Sequence, residues 1–227
     1  MKLTPKYIQR NCIEGDKIDP RQADSVLKYR PDIIIFESPA EKNGPGMVFN
    51  VYPCDKKPLK KVDEIIQNAK NSAKEFPYAE SGVAVWENIK KLWSEGNNVQ
   101  VYKVDTPQDV RREHFLMHMQ YPECRKDPLF WAYLYIRDKT MAKNIKLALN
   151  DYSGKKDPVV AVFLQSIHWK HAEFLLKEPT PSEVWKYYFG RFPKLTVDAL
   201  EETLSKRSKL LIEYWKKEVA EVFDNVM

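Results

Sequence analysis

An α/β fold, with a central, mostly parallel sheet flanked by helices and a helical C-terminal extension, is the class this sequence predicts. Two observations carry that reading. The runs Asp32–Phe36 and Val159–Leu164 are short, β-branched and apolar throughout, as strands buried on both faces are. Helical segments stand between these strands and a third, Val99–Val104, which alternates. Covered strands separated by helices belong to α/β architectures. The length of 227 residues suits one large domain with an appended helical segment, and a hydrophobic fraction of 43% supplies a core.

The elements follow in order. Tyr7–Ile13 is a weak first strand. Asp19-Pro20 opens a short helix, with Asp19 as cap and Pro20 at the first helical position; Ala23, Val26 and Leu27 give it an apolar face and Arg30-Pro31 stops it. From Ser38 to Pro58 the spacing of prolines and glycines reads as a functional loop. Helices are expected over about 59–75 and 81–95, the second ending before Gly96-Asn97-Asn98. Asp105-Thr106-Pro107 closes the strand at Val104 and opens a helix through about Met119; a long helix runs from about Leu129 to Asn150, and another covers His168–Leu176. A boundary falls near residue 180. Beyond it, one amphipathic helix over about 196–223 is expected, with Val197, Leu200, Leu204, Leu211, Trp215 and Phe223 at helical spacing. That stripe either packs on the domain or serves a homodimer or other partner.

Composition removes several classes. No apolar run reaches the roughly 18–20 residues that cross a bilayer. MKLTPKYIQRNC has no apolar signal core, so a cytoplasmic protein is expected, with no membrane partner. Cys12, Cys54 and Cys124 have neither disulfide nor zinc-ribbon spacing and read as reduced thiols. A net charge of +5 is too small to argue for nucleic acid, and a nucleic-acid partner is not expected. The seven glycines form neither a dinucleotide fingerprint nor a Walker A loop.

Open α/β sheets bind ligands beyond the carboxyl ends of their strands. The polar residues there are Glu14 and Asp16 after the first strand, Glu37 after Phe36, Asp105 after Val104, and Gln165, Ser166 and His168 after Leu164. A carboxylate that ends an apolar strand needs a cation, a metal or hydrogen bonds. Glu37 is open to function or to turn capping, whereas Asp105 reads first as a helix cap. Arg137-Asp138 lies in an aromatic helix; Arg137 either serves Glu37 or an anionic substrate, or forms an ordinary surface pair. His168 and His171 have the spacing of a ligand pair, with His171 read as partly exposed and structural. His114 and His118 have zincin spacing but lack the intervening glutamate, so they read as a solvent-facing or lightly packed pair. Ser166 lacks the glycines of a nucleophile elbow.

Four stretches, in this order, resemble the TraB/Tiki family, within the wider group of erythromycin-esterase and ChaN-like folds. They are DPRQADSVLKYRPDIIIFES, VQVYKVDTPQDVRR, IRDKTMAKNIKLAL and PVVAVFLQSIHWKHAEFLL. The resemblance covers about residues 1–177. It departs at both Gly-x-x-His motifs. The first falls on Asn11-Cys-Ile-Glu14, where glycine and histidine are replaced; the second is Gln165-Ser-Ile-His168, where glycine is replaced. The resemblance implies a remodelled, metal-dependent, peptidase-like hydrolase acting on a peptide or small molecule. Glu14, Glu37 and His168 would hold Mn²⁺ or Zn²⁺, Glu37 or Glu14 would act as base, and Arg137 would stabilise the developing charge. The alternative is a non-catalytic binding or scaffold protein that uses the helical C-terminus for a partner.

Overall fold

The computed structural model describes residues 4–10, 21–39, 56–73, 79–113 and 126–216. Four strands form one parallel sheet: β1 (Lys6–Arg10), β2 (Ile33–Pro39), β3 (Gln100–Asp105) and β4 (Val159–Phe163), in the order β1-β4-β2-β3. Helices α1 (Arg21–Tyr29), α2 (Lys56–Ala73) and α3 (Ala79–Ser94) pack on it, and the chain also forms α4 (Pro128–Asp151) and α5 (Ser166–Leu176). A further helical run covers 108–113. The expected α/β class is the observed one. Cys12, Cys54, Cys124, Glu14, Asp16, Asp19, Pro20, His114, His118 and Phe223 lie outside the described residues.

The contacts gather into two compact units. The first takes β1, α1, β2 as far as Glu37, α2, α3, most of β3, and Ala148–Trp169; the second takes the chain from Ser38 to Met47, Val104–Leu147 and everything from Lys170 onward. The expected boundary near 180 is therefore not where the contacts divide, because the C-terminal helices share a core with α4.

In the first unit β4 lies between β1 and β2, with Tyr7 opposite Val160 and Ile34 opposite Ala161. Ile33, Ile34 and Ile35 are all fully buried, which accounts for a run with no polar alternation. One face of the sheet packs Ile34, Val101, Ala161 and Phe163 against Ala23 and Val26 of α1, Val62 and Ile66 of α2, and Ile89 and Trp93 of α3. Asp32 ties the amino ends of three strands. Its backbone N–H donates to Val159 O at 2.8 Å, its carbonyl accepts from Gln100 N at 2.9 Å, and its carboxylate accepts from Val159 N at 2.7 Å. The sequence signals for the ends of α1 and α3 are also met. Arg30, at φ 43° before Pro31, ends α1. Gly96, at φ 82°, ends α3, with Asn97 N donating to Leu92 O and Gly96 N to Trp93 O. That pair of bonds requires a left-handed residue between them.

In the second unit, every residue from Leu129 to Asp138 of α4 is buried. The helix starts where the Asp127 carboxylate accepts from Leu129 N at 2.8 Å. Three helices cover it: α6 (Pro181–Phe189), α7 (Val197–Arg207) and α8 (Lys209–Trp215). The expected single helix over 196–223 is thus corrected. Ser208, extended at φ −155°, ends α7 by donating its N–H to Leu204 O and begins α8 by accepting from Leu211 N on its side chain. Seven residues separate Leu204 from Leu211, so the apolar period runs through the break unchanged. Leu200, Leu204, Leu211 and Trp215 are all fully buried. Trp215 meets Tyr135 and Phe189 edge-on at 6.3 and 6.2 Å between ring centres. Among the described residues the stripe packs within this unit.

Candidate functional site

Three buried polar centres stand out, and each has a local cause. In the first unit, β2 and β4 are neighbours and end at the same level, Phe36 opposite Phe163. Glu37 is the next residue of β2, and His168 enters α5 five residues after β4 closes. Glu37 Oε1 lies 3.9 Å from His168 Nε2, and the two side chains keep only 7% and 3% of their exposure. Glu37 Oε2 accepts from the backbone N–H of Gln165 at 2.8 Å. The amide of the residue where glycine was expected therefore orients the carboxylate.

In the second unit, Asp105 ends β3 with none of its side chain exposed. Arg137 grips it with two nitrogens, Nε to Oδ1 at 3.1 Å and Nη2 to Oδ2 at 2.7 Å. The Thr106 amide donates to Oδ1 at 2.7 Å, and Arg111 Nε lies 3.5 Å from Oδ2. This fork is the bidentate geometry that makes arginine the usual partner of a buried carboxylate. The helix-cap reading of Asp105 is corrected to that extent: its largest partner is a guanidinium 32 residues away.

The third centre follows from the same helix. Asp138, fully buried, accepts at Oδ2 from His171 Nδ1 at 2.7 Å and from the Tyr188 hydroxyl at 3.1 Å. Burial, and then the Asp138 carboxylate, push the Tyr188 hydroxyl well above the ordinary tyrosine value. The expectation of a partly exposed His171 is corrected, since the residue is 6% exposed. The surface-pair reading of Arg137-Asp138 is corrected too, because both are buried and each has its own partner. A sequence signal for this existed. A helix apolar on every side is buried all round, so charges within it must be matched.

The expected site residues fall as follows. Glu37 and His168 face each other in the first unit. Arg137 belongs to the second unit, on Asp105. Glu14 lies outside the described residues. Among the described residues no three His, Cys, Asp or Glu side chains gather as a metal would need. Glu37 and His168 fit a divalent ion as two of its ligands, one carboxylate oxygen and one imidazole nitrogen, where catalytic sites take three. No described helix is long and apolar enough to cross a membrane. Comparison with protein-family models, curated proteins and solved structures finds no match to this chain.

Proposed function

We propose that the chain is a hydrolase of the TraB/Tiki type, acting on a peptide or a small molecule, with Glu37 and His168 at its reacting centre. The observation that carries this reading is the burial of a carboxylate and an imidazole 3.9 Å apart at the carboxyl ends of two adjacent parallel strands. That edge is where open α/β sheets bind ligands. Neither group is cheap to bury alone, and the backbone of Gln165 fixes one carboxylate oxygen, leaving the other turned toward His168.

Glu37 takes the proton of the attacking water, and the Gln165 amide keeps its carboxylate aimed. His168, seated in the first turn of α5, holds the other side of the same space. A divalent ion bound by Glu37 and His168, with a third ligand such as Glu14, would supply a water of lowered pKa. The scaffold alternative rested on the C-terminal stripe, and the burial of Leu200, Leu204, Leu211 and Trp215 weighs against it.

Thermal melting with and without Mn²⁺ or Zn²⁺ tests the reading. Ion at a hundredfold excess over its Kd stabilises by about 2.7 kcal/mol, or about 5–11 °C for a chain of this size. Glu37→Gln and His168→Ala should each remove that shift while the apo protein still unfolds cooperatively. A wild type indifferent to both ions would overturn the metal site. Loss of stability in both apo variants would then mark the pair as structural.

A further inference from the structure

The second unit holds a cavity of about 360 Å³, where α4 faces Leu175 of α5, Val184 of α6 and the turn between those two helices. Its lining has two parts. Tyr135 and Val184, both buried, and the half-buried Leu175 make an apolar interior. Lys139, Lys143 and Lys146 add cations from one face of α4, at the spacing that stacks side chains along a helix. Leu147 follows on the same face. At 38% it is one of three large apolar side chains left exposed among the described residues. Lysine stems commonly cover the apolar surface of a helix. Here they leave a cavity open beside Leu147 and Val184, at the lower end of the size range of ligand pockets.

The cationic wall already accepts a carboxylate. Glu178 lines the same cavity, and Lys146 Nζ donates to its Oε1 at 2.7 Å. Both side chains reach solvent, so the pair is weak and exchangeable. Three lysines against one glutamate leave the described lining positive. A neutral apolar ligand would leave that charge unused, and a small inorganic anion would leave the apolar interior wet. The lining suits a molecule with one anionic end and one apolar end.

We propose that this cavity binds a free, straight-chain carboxylate, its tail against Tyr135, Leu147, Leu175 and Val184 and its head among Lys139, Lys143 and Lys146. The volume sets the length: it equals the liquid share of about a dozen waters, which suits a single chain of about ten carbons. Two-chain lipids are too large for it. A carboxylate head is favoured over other anions because Lys146 already holds one, that of Glu178. The ligand head competes with Glu178 for Lys146, so the glutamate tempers affinity. The site lies within the second unit and does not depend on the hydrolase reading of Glu37 and His168.

Equilibrium dialysis of the full chain against radiolabelled decanoate, kept below the concentration at which it forms micelles, tests this. One decanoate should bind per chain. Octanoate should bind about fifteenfold more weakly, since each buried methylene is worth about fourfold. Acetate lacks the tail and decyltrimethylammonium lacks the negative head, so neither should compete. Lys139→Gln combined with Lys143→Gln should weaken decanoate about tenfold. Glu178→Gln should act in the opposite direction and strengthen it by up to about fivefold. Leu147→Asp, at an exposed position, should abolish binding and leave the melting temperature near wild type. An absence of binding would overturn the proposal, as would uptake that does not saturate at one per chain. So would equal competition by decyltrimethylammonium, or affinity unchanged in the lysine double variant.

Discussion

Replacing Arg137 with methionine removes the fork from Asp105 and leaves a fully buried carboxylate. Breaking a buried pair from one side costs about 3–5 kcal/mol, because the remaining charge keeps its desolvation penalty. Asp105 retains the Thr106 amide at 2.7 Å, and Arg111, 37% exposed and 3.5 Å away, can close on it. The loss should therefore sit near the lower limit, about 3 kcal/mol, or a fall of about 6–12 °C in Tm. Asp105→Asn in the same chain removes the stranded charge and keeps an acceptor for Thr106. The double variant should be no less stable than Arg137→Met alone. Urea unfolding followed by circular dichroism measures this as a shift in midpoint at constant slope. A loss below about 1 kcal/mol, the value of an exposed pair, would refute the burial argument. Strictly additive losses would show that the two side chains are not coupled.

Trp215→Ala should cost about 3–5 kcal/mol through the cavity left beside Tyr135 and Phe189, with the mass in solution unchanged. A changed association state with an unchanged melting curve would return the stripe to an interface. Stability should also fall at high pH. Burial pushes the hydroxyls of Tyr135 and Tyr188 above the unfolded value of 10, and Tyr133 to about 12. Their contribution is complete below about pH 10 and declines as pH rises toward the folded values, by about 1.4 kcal/mol per pH unit for each fully buried tyrosine. Melting temperature compared at about pH 8 and about pH 11 reads this, and equal values would refute it.

The strands were legible because their burial leaves no choice of residue. Ile33, Ile34 and Ile35 are each enclosed, and no helix or loop in this chain needs three isoleucines in a row. Glu37 and His168 were legible for the complementary reason, since a polar group directly after such a strand has to be explained. The network of Asp138, His171 and Tyr188 was not found. Its members are 33 and 50 residues apart, and only the packing of α5 and α6 on α4 brings them to one oxygen. The break at Ser208 was hidden by the apolar spacing itself. A period of seven survives a kink between Leu204 and Leu211, whereas the capping serine between Arg207 and Lys209 looks like any polar surface residue.

The strand order has a consequence for how the chain is made. β4 is the last of the described strands in the sequence but lies between β1 and β2, so neither of those is paired there until residues 159–163 exist. At about 5–20 residues per second, the roughly 120 residues from β2 to β4 take on the order of ten seconds to synthesise. Throughout that interval Ile33–Ile35 presents an apolar strand with one open edge, the kind that recruits other chains. Closure then depends on contacts of long sequence separation, which form slowly. Substitutions in β4 should therefore act first on yield, as aggregation during translation, and only second on the melting of molecules that have already folded.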